Sequence, residues 1–207
     1  MSALSFVHRF EPATGDSKDT LLLLHGTGGN ENDLLPVGGS VAPGAAMLSP
    51  RGPVLEQGMP RFFRRLAEGV FDLPDLHART TQLAEFIAEA ASEYGFDSKR
   101  IHALGFSNGA NIAASLLLSH PHALASAALL RPMVPFEPDP SIDLSGRPVF
   151  IAAGEDDPIV PRESSERLAE LLKAAGAEVT LTWSRGGHGL GQDDLRAAVH
   201  WWLAKRS

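Results

Sequence analysis

A serine stands at the centre of a Gly-x-Ser-x-Gly pattern in residues 105–109, whose letters are GFSNG. The pattern lies between an apolar run, 101–104, and a segment with helical periodicity that begins at Asn108. On such a strand-to-helix turn a serine is held in a strained conformation with its hydroxyl above the sheet, and the glycines leave room for crowded backbones. Ser107 is therefore predicted to be a nucleophile. The alternative is a glycine-rich helix start without chemical function.

A serine hydroxyl needs a neutral imidazole as its base, because an imidazole titrates near neutral pH. Among the eight histidines, His188 has the most suitable setting, since it lies in the loop GGHG between the last predicted strand and the last predicted helix. His120 and His122 flank a proline at a helix end, where capping or solvent exposure is expected. His25 is expected to orient its own glycine-rich loop. His188 is the predicted base, and a structural loop histidine is the alternative.

A carboxylate must orient the imidazole, and two candidates, Asp156 and Asp157, emerge at the end of the predicted strand 149–153. The order serine, acid, histidine along the chain is the order found in α/β-hydrolase triads. The residues alone leave both aspartates open. A charged turn that caps the following helix is the competing interpretation.

Two backbone N–H groups are expected to stabilise the oxyanion that forms in acyl transfer. One belongs to Asn108, directly after the serine, and the other to Thr27, in the loop HGTGG that follows an early predicted strand. A phosphate-binding loop is the competing interpretation of these glycines. It is weak, because the loop has neither a Gly-Lys-Ser/Thr sequence nor a Gly-x-Gly-x-x-Gly register.

The elements that must position these residues are short apolar runs that alternate with longer amphipathic segments. This alternation predicts an α/β fold with a mostly parallel central sheet and helices on both faces. The predicted strands are a weak edge strand near 6–10, then 20–24, 45–49, 101–105, 124–130, 149–153 and 178–183, and the predicted helices are 76–94, 108–120, 163–175 and 193–204. Two stretches, 50–75 and 131–147, lack periodicity. A length of 207 residues predicts one domain over 1–207.

The composition argues against several classes of protein. The net charge is −7 and no run is rich in lysine or arginine, so no nucleic-acid partner is expected. The absence of cysteine excludes a disulfide scaffold, a thiolate zinc site and a cysteine nucleophile. The apolar runs are far shorter than the roughly 18 residues that span a bilayer, and the first residues lack a signal-peptide pattern. We therefore expect no membrane span and a cytoplasmic location.

Four segments together give the sequence a family resemblance: LLLLHGTGGNENDLLP, GFSNGANIAASLLL, GEDDPIVP and GGHGL. They resemble the phospholipase/carboxylesterase family of α/β-hydrolases, which includes bacterial carboxylesterases and acyl-protein thioesterases. The stretch LSPRGPVLEQGMPRFFRRLAEGVFD is similar to small bacterial serine carboxylesterases, some of them linked to hydroquinone stress. The resemblance covers nearly the whole chain and implies the α/β-hydrolase fold.

The resemblance also implies a role for each candidate residue. It makes Ser107 the nucleophile, His188 the base and the backbone N–H groups of Thr27 and Asn108 the oxyanion hole. The family acid precedes a proline, which selects Asp157. Thioesterases of the family usually have glutamine after the nucleophile, so Asn108 does not favour that activity. No metal or organic cofactor is required.

A substrate pocket is harder to predict than the triad. The segment 132–146 is too short for the large helical cap of many hydrolases, so an open cleft is expected. Apolar residues from the two aperiodic stretches are candidates to line it, with ordinary core packing as the alternative: Phe62, Phe63, Leu66, Phe71, Met133 and Val134.

The predicted activity is that of a serine carboxylesterase acting on short- to medium-chain or small aromatic esters through an acyl-enzyme. A thioesterase, a lysophospholipase or a lactone hydrolase would use the same triad, and a non-catalytic binding module is the alternative from another class. The expected partner is a small-molecule ester. The sequence leaves open whether the protein is a monomer or a homodimer.

Overall fold

The computed structural model describes residues 4–205. Its main feature is a seven-stranded sheet with strand order β1-β3-β2-β8-β9-β10-β11, in which only β1 runs antiparallel to its neighbour. The strands in chain order are β1 (His8–Glu11), β2 (Thr20–Leu24), β3 (Ala46–Pro50), β4 (Val54–Glu56), β5 (Met59–Arg61), β6 (Arg65–Ala67), β7 (Val70–Phe71), β8 (Ile101–Phe106), β9 (Ser126–Leu130), β10 (Pro148–Gly154) and β11 (Glu178–Ser184).

Helices cover both faces of this sheet, as expected. They are α1 (Leu35–Val41), α2 (Leu73–Tyr94), α3 (Asn108–Ser119), α4 (Arg162–Ala174) and α5 (Gln192–Ala204). One apolar core contains buried residues of α2, α3 and α4, and a second contains buried residues of α1 and α5. Within residues 4–205, no helix is both long enough and apolar enough to cross a membrane.

Strand β2 shows why a continuous apolar run becomes a central strand. All five of its residues are buried. Leu22 and Leu24 belong to the core under α2 to α4, whereas Leu21 and Leu23 belong to the core under α1 and α5. Because neighbouring side chains of a strand point to opposite faces, a strand between two helical layers needs apolar residues at every position.

Helix α2 begins and ends at recognisable capping residues. The carboxylate of Asp72 accepts a hydrogen bond from the backbone N–H of Asp75 at 3.2 Å, so the helix starts a few residues before the predicted one. It ends at Gly95, whose φ of 72° places it in the left-handed region that glycine tolerates best. Other predicted helices and strands differ from the observed ones by one or two residues at most ends.

The aperiodic stretch 50–75 contains two small hairpins, which pair β4 with β5 and β6 with β7. The second aperiodic stretch, 131–147, has neither a helix nor a strand. Hence no large helical cap covers the carboxyl edge of the sheet in the described part of the chain. The loops that follow β8, β9, β10 and β11 meet at this edge, since these strands are parallel neighbours.

Candidate active site

Ser107 lies at the turn between β8 and α3, where its φ is 51° and its ψ is −114°. A positive φ is uncommon for a residue other than glycine and persists only where the surroundings enforce it. Here the Ser107 N–H donates to the carbonyl of Leu130 at 2.8 Å, and its carbonyl accepts from the N–H of Asn111 at 2.9 Å. The turn directs the residue to a cavity that it lines.

The two glycines of the pattern allow three backbone segments to meet at this turn. A Cβ atom on Gly105 would lie 2.5 Å from the carbonyl oxygen of Gly109, and one on Gly109 would collide with the backbone of Leu24. A backbone cannot move aside as the end of a side chain can. The glycines are therefore needed for the close approach of β2, β8 and α3.

The imidazole of His188, in the loop between β11 and α5, joins the serine to a carboxylate. Its Nε2 lies 2.8 Å from Ser107 Oγ, and its Nδ1 lies 2.9 Å from Asp157 Oδ2. An ionised carboxylate can only accept hydrogen bonds, so Nδ1 donates and Nε2 is left to accept the hydroxyl proton. This arrangement can withdraw a proton from the serine oxygen.

The geometry also selects between the two aspartates. The side chain of Asp157 is 1% exposed, and its Oδ1 accepts hydrogen bonds from the backbone N–H groups of Ile159 and Val160 at 2.8 and 3.0 Å. These bonds fix the carboxylate so that Oδ2 faces the imidazole. Asp156 is exposed. Asp157 is thus the aspartate that the structure brings to His188.

A buried arginine that was not singled out in the sequence holds the loop of His188. The side chain of Arg131, directly after β9, is 1% exposed and forms a bidentate ion pair with Asp194 in α5, with N···O distances of 3.0 and 2.8 Å. It also donates to the carbonyl oxygens of Gly187 and Gly189, which flank His188, at 3.1 and 3.4 Å. Arg131 therefore links the end of β9 to the histidine loop.

The carboxylate of Asp194 is stabilised in its charged form despite its position in the interior. Burial alone would raise the pKa of Asp194, but hydrogen bonds from Arg131, the Gly191 N–H and the Ser184 hydroxyl keep that pKa below its ordinary value. The only sequence signal for this pair was a charged residue directly after a buried strand.

Thr27 and Asn108, whose N–H groups are the two predicted oxyanion donors, both line the cavity at Ser107. Among residues 4–205, neither N–H donates a hydrogen bond to another group. Asn108 is the first residue of α3. Its N–H is one of the free donors at the start of a helix, where negative charge is favoured.

His25 fixes the loop that carries Thr27. The ring is 1% exposed, its Nε2 accepts from the Gly52 N–H at 2.9 Å, and its Nδ1 donates to the Gly26 carbonyl at 2.7 Å. Burial lowers the pKa of His25, which keeps the ring neutral and able to accept at Nε2. These contacts agree with the prediction that His25 orients its loop.

The cavity has a volume of about 310 Å³. Its wall combines apolar side chains, arginines and one carboxylate with the residues already described. Besides Thr27, Ser107, Asn108, Arg131 and His188, it is lined by Arg61, Arg65, Glu68, Gly69, Phe71, Phe106, Asn111, Met133, Ile159 and Val160.

Of the six predicted pocket residues, the structure brings only Phe71 and Met133 to the cavity. The assignment of Phe62 and Phe63 was wrong, since both are fully buried in the core. Leu66 is 73% exposed and lies outside the cavity, and Val134 packs against the core. Ile159 and Val160, which follow the acidic turn, were missed because their position gave no indication of which way they point.

Across the part of the chain that the structure describes, no three histidine, aspartate or glutamate side chains are grouped so that they could hold a metal ion. The hydrogen bonds of His188 are instead made to a serine and a carboxylate.

Comparison with known proteins places these residues in a wider context. The model of the phospholipase/carboxylesterase family matches residues 8–203. MhqD of Bacillus subtilis (strain 168) is 50% identical over 195 residues, which are 94% of this chain and 96% of MhqD.

Solved structures agree with this match. The Bacillus cereus carboxylesterase is 52% identical and superposes with a TM-score of 0.93, over 95% of this chain and 92% of that one. A carboxylesterase from Mesorhizobium loti is 35% identical with a TM-score of 0.91, over 99% and 97% of the two chains.

Proposed function

The chain belongs to the phospholipase/carboxylesterase family of α/β-hydrolases, and from this premise we propose that it is a serine carboxylesterase with Ser107 as nucleophile. The observation that carries the proposal is the hydrogen-bond chain from Asp157 through His188 to Ser107, at 2.9 and 2.8 Å. Family membership supports a hydrolase, and the geometry supports this particular serine.

The reaction proceeds by acyl transfer. His188 Nε2 takes the proton of Ser107 while the oxygen attacks the ester carbonyl, and Asp157 stabilises the imidazolium that results. The oxyanion accepts hydrogen bonds from the N–H groups of Thr27 and Asn108. His188 then protonates the leaving alcohol, and water cleaves the acyl-enzyme by the same route.

The cavity supports small substrates. A volume of about 310 Å³ is at the lower end of the roughly 300–1,000 Å³ of small-molecule sites. Phe71, Phe106 and Met133 give it an apolar wall beside the serine. We therefore propose short acyl chains or small aromatic acids as the preferred acyl group.

The test is hydrolysis of p-nitrophenyl acetate, butyrate, octanoate and palmitate by the wild-type protein and Ser107→Ala. Loss of a triad nucleophile lowers kcat by about 10⁴- to 10⁶-fold. The matched control is Ser40→Ala, which removes an exposed hydroxyl on α1 and should leave turnover unchanged. We expect acetate and butyrate to be hydrolysed faster than palmitate. Equal turnover by wild type and Ser107→Ala would refute the proposal.

A second panel tests the leaving group. Acetylthiocholine and a small lactone, assayed beside acetylcholine as the matched oxygen ester, separate a carboxylesterase from a thioesterase and a lactone hydrolase that would share Ser107. The carboxylesterase assignment requires the oxygen ester to have the highest kcat/KM. A higher value for either of the other substrates would keep the serine mechanism and change the assigned substrate class.

A further inference from the structure

The hairpin formed by β4 and β5 touches both loops that carry the proposed oxyanion donors. Gly28, in the loop after β2, donates its N–H to the carbonyl of Pro60 in β5 at 2.9 Å. Arg61, which follows Pro60 in the chain, donates from Nη1 to Thr27 Oγ1 at 2.6 Å. The loop after β2 is thus held by two consecutive residues of the hairpin.

Phe62, the residue after Arg61, contacts the second loop, which leads into α3 at Asn108. Phe62 donates its backbone N–H to Asn108 Oδ1 at 2.8 Å. Asn108 is only 2% exposed, so this amide oxygen has no free access to bulk water. Residues 60–62 therefore hold the loop of Thr27 on one side and the start of α3 on the other.

Arg61 is itself held in place. Its side chain is 4% exposed, and its Nε lies 3.2 Å from a carboxylate oxygen of Glu56 and 3.2 Å from the carbonyl of Phe63. A side chain with this many fixed contacts has little freedom to follow a substrate. It is suited to keeping Thr27 at a set position.

We propose that Arg61 is a positioning residue and that residues 60–62 set the distance between the two oxyanion donors, Thr27 and Asn108. This inference rests on the proposed function. The physical need is clear, because the two N–H groups come from loops that are far apart in the sequence. Stabilisation of an oxyanion requires donors that are already in place before reaction.

The decisive variant is Thr27→Val, which keeps the shape and the backbone N–H of residue 27 but removes the hydroxyl that accepts from Arg61. Thr27 is an exposed loop residue, so this change should not impair folding. Because a displacement of about 1 Å can cost up to about 100-fold in rate, we expect kcat to fall about 10-fold while KM stays unchanged. Thr27→Ser keeps the acceptor and should restore kcat.

A transition-state analogue gives an independent readout. A boronic acid that adds to Ser107 places a negative oxygen in the oxyanion hole, so its affinity for Thr27→Val should fall by the same factor as kcat. A short alcohol, butan-1-ol, has no carbonyl or carboxylate oxygen that could enter that hole and should bind unchanged. Lower stability alone would reduce the binding of both ligands equally, so it would not produce this difference in affinity.

Arg61→Met should reproduce the loss of kcat, and Arg64→Met is its matched control. Arg64 is in the same segment, but its side chain is 60% exposed and it lies outside the cavity. The thermal midpoint of each variant identifies those that have lost their fold. If Arg61→Met does not fold, Thr27→Val still decides the matter.

The outcomes separate this inference from the proposed function. An unchanged kcat in Thr27→Val would overturn the role of Arg61, and so would an increase in KM alone, which would make Arg61 a residue that binds substrate. Both results require a wild-type protein whose activity depends on Ser107. If Ser107→Ala is as active as wild type, the proposed function itself fails.

Discussion

Arg131→Met is predicted to be one of the most damaging single substitutions outside the triad. It removes a guanidinium that pairs with Asp194 and donates to the two carbonyls beside His188. Among residues 4–205, the Asp194 carboxylate, 2% exposed, would keep only the Ser184 hydroxyl and the Gly191 N–H as donors. A buried charge would thus lose its counter-charge.

The size of the effect follows from this burial. Removing one partner of a buried ion pair costs about 3–5 kcal/mol, whereas an exposed pair contributes about 0–1 kcal/mol. Since a folded protein is stable by only about 5–15 kcal/mol, Arg131→Met should lose a large part of its free energy of unfolding. The chain supplies a matched control in Arg167, which makes a bidentate pair with Glu137 although both side chains are about half exposed or more.

The assay is urea denaturation of wild type, Arg131→Met, Asp194→Asn, the double variant and Arg167→Met. Asp194→Asn removes the nearest counter-charge of Arg131 and leaves it the more distant Asp157 carboxylate, whose Oδ2 lies 4.0 Å from Arg131 Nε. The double variant should therefore cost about 2 kcal/mol less than the sum of the two single changes. Arg167→Met should cost less than about 1 kcal/mol. A loss in Arg131→Met as small as that in Arg167→Met would refute the reasoning, and so would strict additivity of the double variant.

Two further predictions concern the turn and the pH dependence of stability. Gly105→Ala places a Cβ atom 2.5 Å from the Gly109 carbonyl oxygen, so it should lower the thermal midpoint and abolish fluorophosphonate labelling of Ser107. Burial and the nearby Lys205 ammonium lower the pKa of His102 to about 4, from about 6.5 in the unfolded chain. Between these values the unfolded chain binds the extra proton, so the contribution of His102 to the free energy of unfolding should fall by about 3 kcal/mol from pH 7 to 4, and His102→Gln should remove that part of the slope.

The central strands of the sheet were predictable because they are buried on both faces. Residues 20–24 are apolar throughout, and the observed β2 has the predicted bounds. Helix α1 was missed, since its seven residues contain one proline and two glycines. Its formation depends on packing, with Gly38 set closely against the side chains of Leu23 and Met47. Such tertiary contacts override a poor intrinsic propensity.

The pattern of glycines around Ser107 and His188 carried most of the information about the site. The pocket could not be predicted in the same way, because no sequence pattern distinguishes an aromatic residue in the core from one in the wall of a cavity. Phe63 is buried and Phe71 borders the cavity, although they lie in one segment. The partnership of Arg131 with Asp194 joins residues 63 positions apart, and no local pattern marks it.

The order of the strands has a consequence for how this protein is made. Ser107 follows β8, and the imidazole that would activate it comes 81 residues later, after the last strand of the sheet. During synthesis the serine leaves the ribosome well before its base, and it has no partner until β11 has paired with β10. A nascent chain therefore carries an unreactive hydroxyl. The proposed chemistry begins only when the far edge of the sheet has been completed, so an incompletely made or misfolded chain would not hydrolyse esters in the cell.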